Sequence, residues 1–361
     1  MSVRPPCDDA DPGAARDPGA ARDPSAARDP SAARDPGASR DPGAACDLRA
    51  SDAADAHLRI HVLGTGSRGN ASIISWAGVD RTHAIMVDAG FSPRETGRRL
   101  AASGCGMELG DLDGIVVTHP DRDHLHTGWA AGAPRYDLPV YLHRGHRQRA
   151  VHHGFDGRSI RLFDGAFSLG SGAAAMDIDP IPMPHDQLGS LAFVFRVGDA
   201  RVGWATDLGR MPPDLPRRFA GIHVLAIESN YDPHLQAASD RPAFLKQRIM
   251  GGSGHLSNEE SARAARRIAE SAPVAHIVLL HLSQQCNCPQ TVRGTWERLT
   301  PELADRLVIT AQDRPAPPVT IGDRELATAP LGLIDDQGDS VPANASASRP
   351  RHAEQRMLFD V

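Results

Sequence analysis

The chain contains a single lysine, Lys246, and only 4% aromatic residues. Its positive charge is therefore almost all arginine, whose planar fork suits phosphate, although genomic base composition produces the same skew. With so few rings, the core has to be built from Leu, Val, Ile and Ala. No stretch approaches the ~20 consecutive apolar residues that span a bilayer. The opening MSVRPPCDDA lacks the apolar centre of a secretory signal. No membrane association is expected, and the cytoplasm is the expected compartment. The five cysteines, Cys7, Cys46, Cys105, Cys286 and Cys288, are odd in number and irregularly spaced, which spells no disulfide framework. Cys286-Asn-Cys288 also lacks the two-residue gap of a zinc knuckle. The net charge of −6 is too mild to suggest wholesale wrapping of nucleic acid, yet it leaves room for a local basic groove. A length of 361 residues at 40% hydrophobic content allows a sizeable core in one large or two modest domains.

From Asp11 the sequence repeats every six residues, as DPGAAR, DPSAAR and close variants, up to Cys46. Each unit pairs one Asp with one Arg and offers no large apolar side chain, and its proline blocks a continuous helix. Residues 1–57 are expected to form a disordered arm. Folded sequence starts with LRIHVLG, which alternates and ends in glycine as a strand does. SIISWAG, HAIMVDAG, LDGIVVTHP, LPVYLHR, SLAFVFRVG, RVGWATD, HVLAIES and AHIVLLHLS read as further strands. SPRETGRRLAASG reads as a helix with Ser92 as N-cap, Glu95 closing a capping box and Gly104 ending it. NEESARAARRIAESAP is a second helix, capped by Ser257 with Glu260 three residues on. Runs of strands with helices after and between them predict two packed sheets with helices outside, an α/β sandwich over residues 58–314. The Pro- and Asp-rich stretch 315–361 reads mostly as a flexible tail, with ELATAPLGL able to pack on the body.

One loop concentrates chemistry. VVTHPDRDHLHTG runs out of an apolar strand and holds His119, Asp121, Asp123 and His124 within six residues. Imidazoles and carboxylates crowded at one point repel one another unless a cation lies between them. Further His and Asp residues follow or sit within apolar runs: His185 in PMPHDQLGS, Asp207 in GWATDLGR and His281 in VLLHLSQQ. Together they make seven candidate ligands, enough for two adjacent metal ions.

Thr118-His119-Pro120-Asp121-Arg122-Asp123-His124 resembles the T-H-x-H-x-D-H motif of metallo-β-lactamase-fold hydrolases, except that Asp121 stands where the motif has histidine. LGTGSRGNAS, MVDAG, ATDLG, IESNYD, GHLSNEESA and HLS resemble one branch of that fold, the small bacterial DNA exonucleases related to ribonuclease Z. The resemblance spans about residues 58–313 and implies a four-layer αββα sandwich. It also implies that His119, Asp121 and His185 hold a first metal and Asp123, His124 and His281 a second, with Asp207 between them. The two divalent ions, Zn²⁺ or Mn²⁺, would generate a hydroxide nucleophile for phosphodiester hydrolysis. The harder carboxylate of Asp121 shifts the first site toward Mn²⁺ or Fe²⁺. His255 matches the family histidine beside the leaving group and, with Asp123, is a candidate catalytic residue. It precedes a capped helix whose free N–H groups favour phosphate.

Other segments add candidates. Ser67 and Asn70 in the glycine loop, with Ser257 and Asn258, are candidate substrate contacts. HRGHRQRAVHH and RPAFLKQRIMGG concentrate positive charge that could line a phosphate track. Gln355, Leu358 and Phe359 resemble the Gln-x-x-Leu-Phe peptide by which bacterial DNA enzymes dock on the replication sliding clamp. The expected activity is a metal-dependent DNA exonuclease linked to repair or replication. The alternatives are a hydrolase of a thioester, lactone or cyclic phosphodiester, because a fold does not fix function, and a partner-binding protein whose site Asp121 has impaired.

Overall fold

The computed structural model describes residues 56–327. The six-residue repeats lie outside them, as do Gln355, Leu358 and Phe359. The body opens with β1 (Ala56–Gly64), β2 (Ala71–Ala77), β3 (Thr82–Val87), β4 (Gly114–Val116), β5 (Val140–His143) and β6 (Ile160–Phe163). It continues with β7 (Phe167–Leu169), β8 (Met176–Met183), β9 (Ser190–Val197), β10 (Ala200–Ala205), β11 (Val224–Glu228) and β12 (His276–Leu280), then β13 (Leu307–Ile309) and β14 (Val319–Gly322). The helices are α1 (Pro93–Ala102), α2 (Trp129–Arg135), α3 (Arg147–His152), α4 (Leu215–Arg218), α5 (Pro233–Ala238), α6 (Ala243–Met250), α7 (Asn258–Ala269), α8 (Pro289–Leu299) and α9 (Asp323–Leu326).

The strands form two mixed seven-stranded sheets, β14-β1-β2-β3-β4-β5-β6 and β13-β12-β11-β10-β9-β8-β7. Each sheet is antiparallel at one side and parallel at the other, the parallel runs being β3 to β6 and β10 to β13. Alternation along the strands explains the layers. On β1, Leu58, Ile60 and Val62 face the space between the sheets, as do Ile74 and Trp76 of β2 and Phe193 and Phe195 of β9. The other face of β2 and β3, with Ile73 and Met86, packs under α1 and α2 through Leu100, Trp129 and Ala133. Leu225, Ile227, Ile277 and Leu279 turn from the second sheet to Ala265 and Ile268 of α7 and Trp296 of α8. Both faces of both sheets are thus buried, which is the four-layer αββα sandwich expected above.

Two terminal details differ from the sequence reading. The body does not stop at residue 314: β14 pairs antiparallel with β1, with Ile60 opposite Val319 and Leu58 opposite Ile321. Val319 and Ile321 fill the inter-sheet core, and Leu326 of α9 packs against it. Two apolar residues two apart were enough to recruit a Pro-rich segment to an open sheet edge. At α1, Ser92 caps as expected by accepting from the Glu95 N–H at 3.3 Å. The Glu95 carboxylate does not return the bond; it accepts from Arg98 and Arg99 instead. The full capping box does form at α7 between Ser257 and Glu260. Among the described residues no helix is long and apolar enough to cross a membrane.

Candidate metal centre

Ligand-type side chains leave the sheets where strands end. Asp88 follows β3, His119 lies just past β4, and His185 follows β8. Asp207 follows β10, Glu228 ends β11 and His281 follows β12. Carboxyl ends of parallel strands gather functional groups because the loops there are free to diverge. The backbone is under strain at the same place. Among the described residues, five non-glycine positions have positive φ, and four of them are Asp88 at 60°, Asp186 at 41°, Asp207 at 53° and His281 at 57°. Such conformations persist where surrounding structure imposes them, characteristically at functional sites.

All seven sequence candidates come together. His119, Asp121 and His185 place one ligand atom each within 4.8 Å of one another, and so do Asp123, His124, Asp207 and His281. Asp207 stands between the groups: its Oδ2 is 3.5 Å from His119 Nε2, 3.8 Å from His185 Nε2 and 3.0 Å from His124 Nε2. His281 Nε2 lies 3.5 Å from the Asp123 carboxylate. All but Asp121 and Asp123 are buried. Asp121 differs from the others in a second way, since its Oδ1 forms an ion pair with the Arg149 guanidinium at 2.9 Å. The added negative charge of this carboxylate is therefore partly balanced by an arginine from α3.

The electrostatics of the cluster call for positive charge. Burial opposes a proton on His124, yet Asp207, Asp88 and Asp123 together hold its pKa well above the usual imidazole value. Burial likewise opposes charge on His281, but Asp207, Asp123 and Glu228 push it up to about 10. Burial and the neighbouring His124 drive His119 well below the ordinary value. Asp207 is held well below the carboxylate range by His281 and His124, against its burial. A buried set of carboxylates thus draws protons onto adjacent imidazoles. His119 Nε2 and His281 Nε2 are buried without a hydrogen-bond partner, an arrangement costly for polar atoms unless something occupies their lone pairs. Two orphaned ring nitrogens among carboxylates fit divalent cations, which would replace the protons.

A set of outer partners aims these rings. The His124 Nδ1–H donates to Asp88 Oδ2 at 2.8 Å, leaving Nε2 as the atom turned toward Asp207. Asp88 in turn accepts from the Thr118 amide and hydroxyl at 2.8 and 2.9 Å. The His185 Nδ1–H donates to the Gly254 carbonyl at 2.8 Å. Glu228, fully buried, accepts from His281 Nδ1 at 3.2 Å and from His255 Nδ1 at 2.6 Å. It also accepts the amides of Leu208 and Leu256. Such partners fix tautomer and ring orientation. Asp88 and Glu228, which orient candidate ligands, are residues that the sequence alone did not single out. The available signal was a carboxylate closing an apolar run, in MVD and VLAIE. His255 itself packs against His281 and His185, with ring centroids 5.1 and 5.4 Å away.

The four expected substrate contacts divide differently. Asn70 is buried, and its amide bonds Gly66, Thr65, Asp123 and His124 within the protein. Ser257 is committed to the α7 capping box, and Asn258 bonds Ser229 and Asn287 in the interior. Each of these three is engaged in hydrogen bonds within the protein. Ser67 is exposed. The second basic segment is also engaged internally. Arg241 binds Gln236 and Gln285, the Lys246 ammonium binds the Ala237 carbonyl, and Arg248 pairs with Asp186.

Known proteins resemble this chain in sequence and in fold. The β-lactamase superfamily domain matches residues 83–282. Exodeoxyribonuclease YycJ of Bacillus anthracis is 28% identical over 238 residues, 65% of this chain and 86% of that protein. Exodeoxyribonuclease WalJ of Streptococcus pneumoniae is 29% identical over 240 residues, 65% of this chain and 85% of that protein. Among solved structures, the metallo-β-lactamase fold protein YhfI of Bacillus subtilis superposes with a TM-score of 0.54 at 15% identity, covering 73% of this chain and 99% of that one.

Proposed function

The chain belongs to the β-lactamase superfamily, and from that premise we propose that it is a divalent-metal-dependent phosphodiesterase acting on DNA as an exonuclease. The observation that carries the reading is the placement of His255, hydrogen-bonded to buried Glu228, against the rings of His185 and His281 at the edge of a ligand cluster. Its side chain is 20% exposed, so part of the ring is open to solvent. The exodeoxyribonucleases at 28% and 29% identity support DNA as the polymer.

His119, Asp121 and His185 would hold one ion, and Asp123, His124 and His281 another, with Asp207 reaching both. Divalent ions bound there supply Lewis-acid polarisation of a phosphodiester and acidify water. The remaining work belongs to the chain. Asp88 and Gly254 hold protons at Nδ1 of His124 and His185, which keeps each Nε2 directed inward. Glu228 does the same for His281. It also holds a proton on His255 Nδ1, so that Nε2 is the atom presented to substrate. From there His255 acts as the general acid that protonates the departing oxygen. Asp121 makes the first site harder than a histidine would, favouring Mn²⁺ or Fe²⁺ over Zn²⁺.

The test is one set of incubations with Mn²⁺ or Zn²⁺ and end-labelled oligonucleotides, beside a thioester and a lactone. Stepwise shortening of DNA is expected, abolished by chelator and reduced at least a hundredfold in His255→Ala. Turnover of the thioester or lactone with intact oligonucleotides would refute the nuclease assignment.

A further inference from the structure

Two cavities adjoin at Arg149 and Leu188. The first, about 430 Å³, opens from His119, Asp121 and His185. The second, about 860 Å³, is lined by α3 and by residues of the loop that carries the ligand motif. Their chemistry differs. In the first, Arg149 pairs with Asp121 and Arg248 with Asp186, so its charges are matched. No carboxylate side chain lines the second; its ionisable groups are Arg122, Arg149, His152 and His153. Arg122, Arg149 and His152 are exposed on its wall. His153 is held toward its neutral form by burial and by Arg149 and Arg122, and its buried Nδ1 has no hydrogen-bond partner. On a chain of net charge −6, a continuous cleft with this lining is a local feature and not a reflection of overall charge.

We propose that this second cleft holds the backbone of a single nucleic-acid strand extending from the reacting phosphate, with Arg122 and His152 contacting phosphates away from the ligand cluster. The inference rests on the nuclease reading above. Cationic side chains attract phosphates through charge and counterion release, whatever the bases. Gln148 and Thr127, also on the wall, supply neutral hydrogen-bonding groups. Leu188 is 51% exposed at the junction of the cavities, an apolar rim against which an unstacked base can rest. Arg149 is tied to Asp121 and so belongs to the cluster as much as to the cleft. Arg122 and His152 belong to the cleft alone.

The experiment uses the full chain and the double variant Arg122→Ala/His152→Ala. Binding of a fluorescent single-stranded dinucleotide, a decanucleotide and a blunt decamer duplex is measured by anisotropy in Ca²⁺ across a salt series. Turnover of bis(p-nitrophenyl) phosphate in Mn²⁺ is measured alongside. Expected are about tenfold weaker binding of the single-stranded decanucleotide, a salt slope shallower by ~0.7 for each phosphate no longer neutralised, unchanged dinucleotide binding and unchanged turnover of the small ester. Decanucleotide affinity and slope equal to wild type would overturn the cleft assignment while leaving the nuclease reading intact. An equal loss on the blunt duplex would overturn the single-strand assignment. Abolished turnover of the small ester would show that these residues serve the cluster, and would overturn it as well. If the wild type neither binds nor shortens the decanucleotide, the nuclease reading fails and the inference with it.

Discussion

Replacing Asp88 by asparagine tests whether ring orientation, and not ligand identity alone, makes the cluster. Asp88 Oδ1 accepts from the Thr118 amide at 2.8 Å and Oδ2 from His124 Nδ1 at 2.8 Å. Asparagine keeps the shape and is among the residues that tolerate the observed φ of 60°, so the backbone has no reason to move. Its NH₂ group must face one of two donors. Toward His124, it forces the ring into the opposite tautomer and puts a proton on Nε2, the atom 3.0 Å from Asp207. Flipped, it opposes the Thr118 amide. Removing an outer partner of this kind costs 10–100-fold in metal affinity, or about 1.4–2.8 kcal/mol. Competition of Asp88→Asn with a chromophoric chelator for Zn²⁺ and Mn²⁺ reads this directly, with circular dichroism confirming the fold. A folded variant that binds both ions as tightly as wild type would refute the tautomer argument.

Three other perturbations follow from the same geometry. A β-carbon on Gly90 would strike the Asp123 carbonyl and crowd the Asn70 amide, so Gly90→Ala should displace the ligand loop, destabilise by about 2–3 kcal/mol and weaken metal uptake; urea unfolding and chelator competition measure the two effects. Asp121→His should raise the preference of the first site for Zn²⁺ over Mn²⁺, read as the metal content recovered from a mixture of both ions, and an unchanged ratio would remove Asp121 as the determinant. The Glu95 carboxyl is lowered from 4.5 to about 2 by hydrogen bonds from Arg98 and Arg99. Because the folded value is the lower one, its contribution is present above pH 4.5 and is lost as pH falls toward 2. Glu95→Gln should therefore bring its urea midpoint closer to that of wild type below about pH 3 than at about pH 7, and a constant difference would contradict this.

The sequence exposed the fold well where both strand faces are buried. LRIHVLG, SIISWA, VLAIE and HIVLL have few ways to pack except between two layers, and all became strands. β14 was harder to see because VTIG is short, follows prolines, and owes its strand character to the edge of β1. The seven candidate ligands could be picked out because His and Asp at the ends of apolar runs have no business in a core. Their partners could not. Asp88 is 36 residues from His124, and Glu228 is 53 from His281, so only the folded chain brings them together. The internal partners of Asn70 were hidden in the same way, since Asp123 and His124 lie more than 50 residues away.

The pairing of β14 with β1 has a consequence for biosynthesis. β2 joins one side of β1 as soon as a hairpin's length of chain has formed, but the other side must wait until almost the whole body has been translated. During that interval a row of amides and carbonyls, backed by Leu58 and Ile60, stands unpartnered, which is the condition under which nascent chains attach to one another. Slowed elongation or a ribosome stalled before residue 319 should therefore yield aggregates seeded by the first strand made.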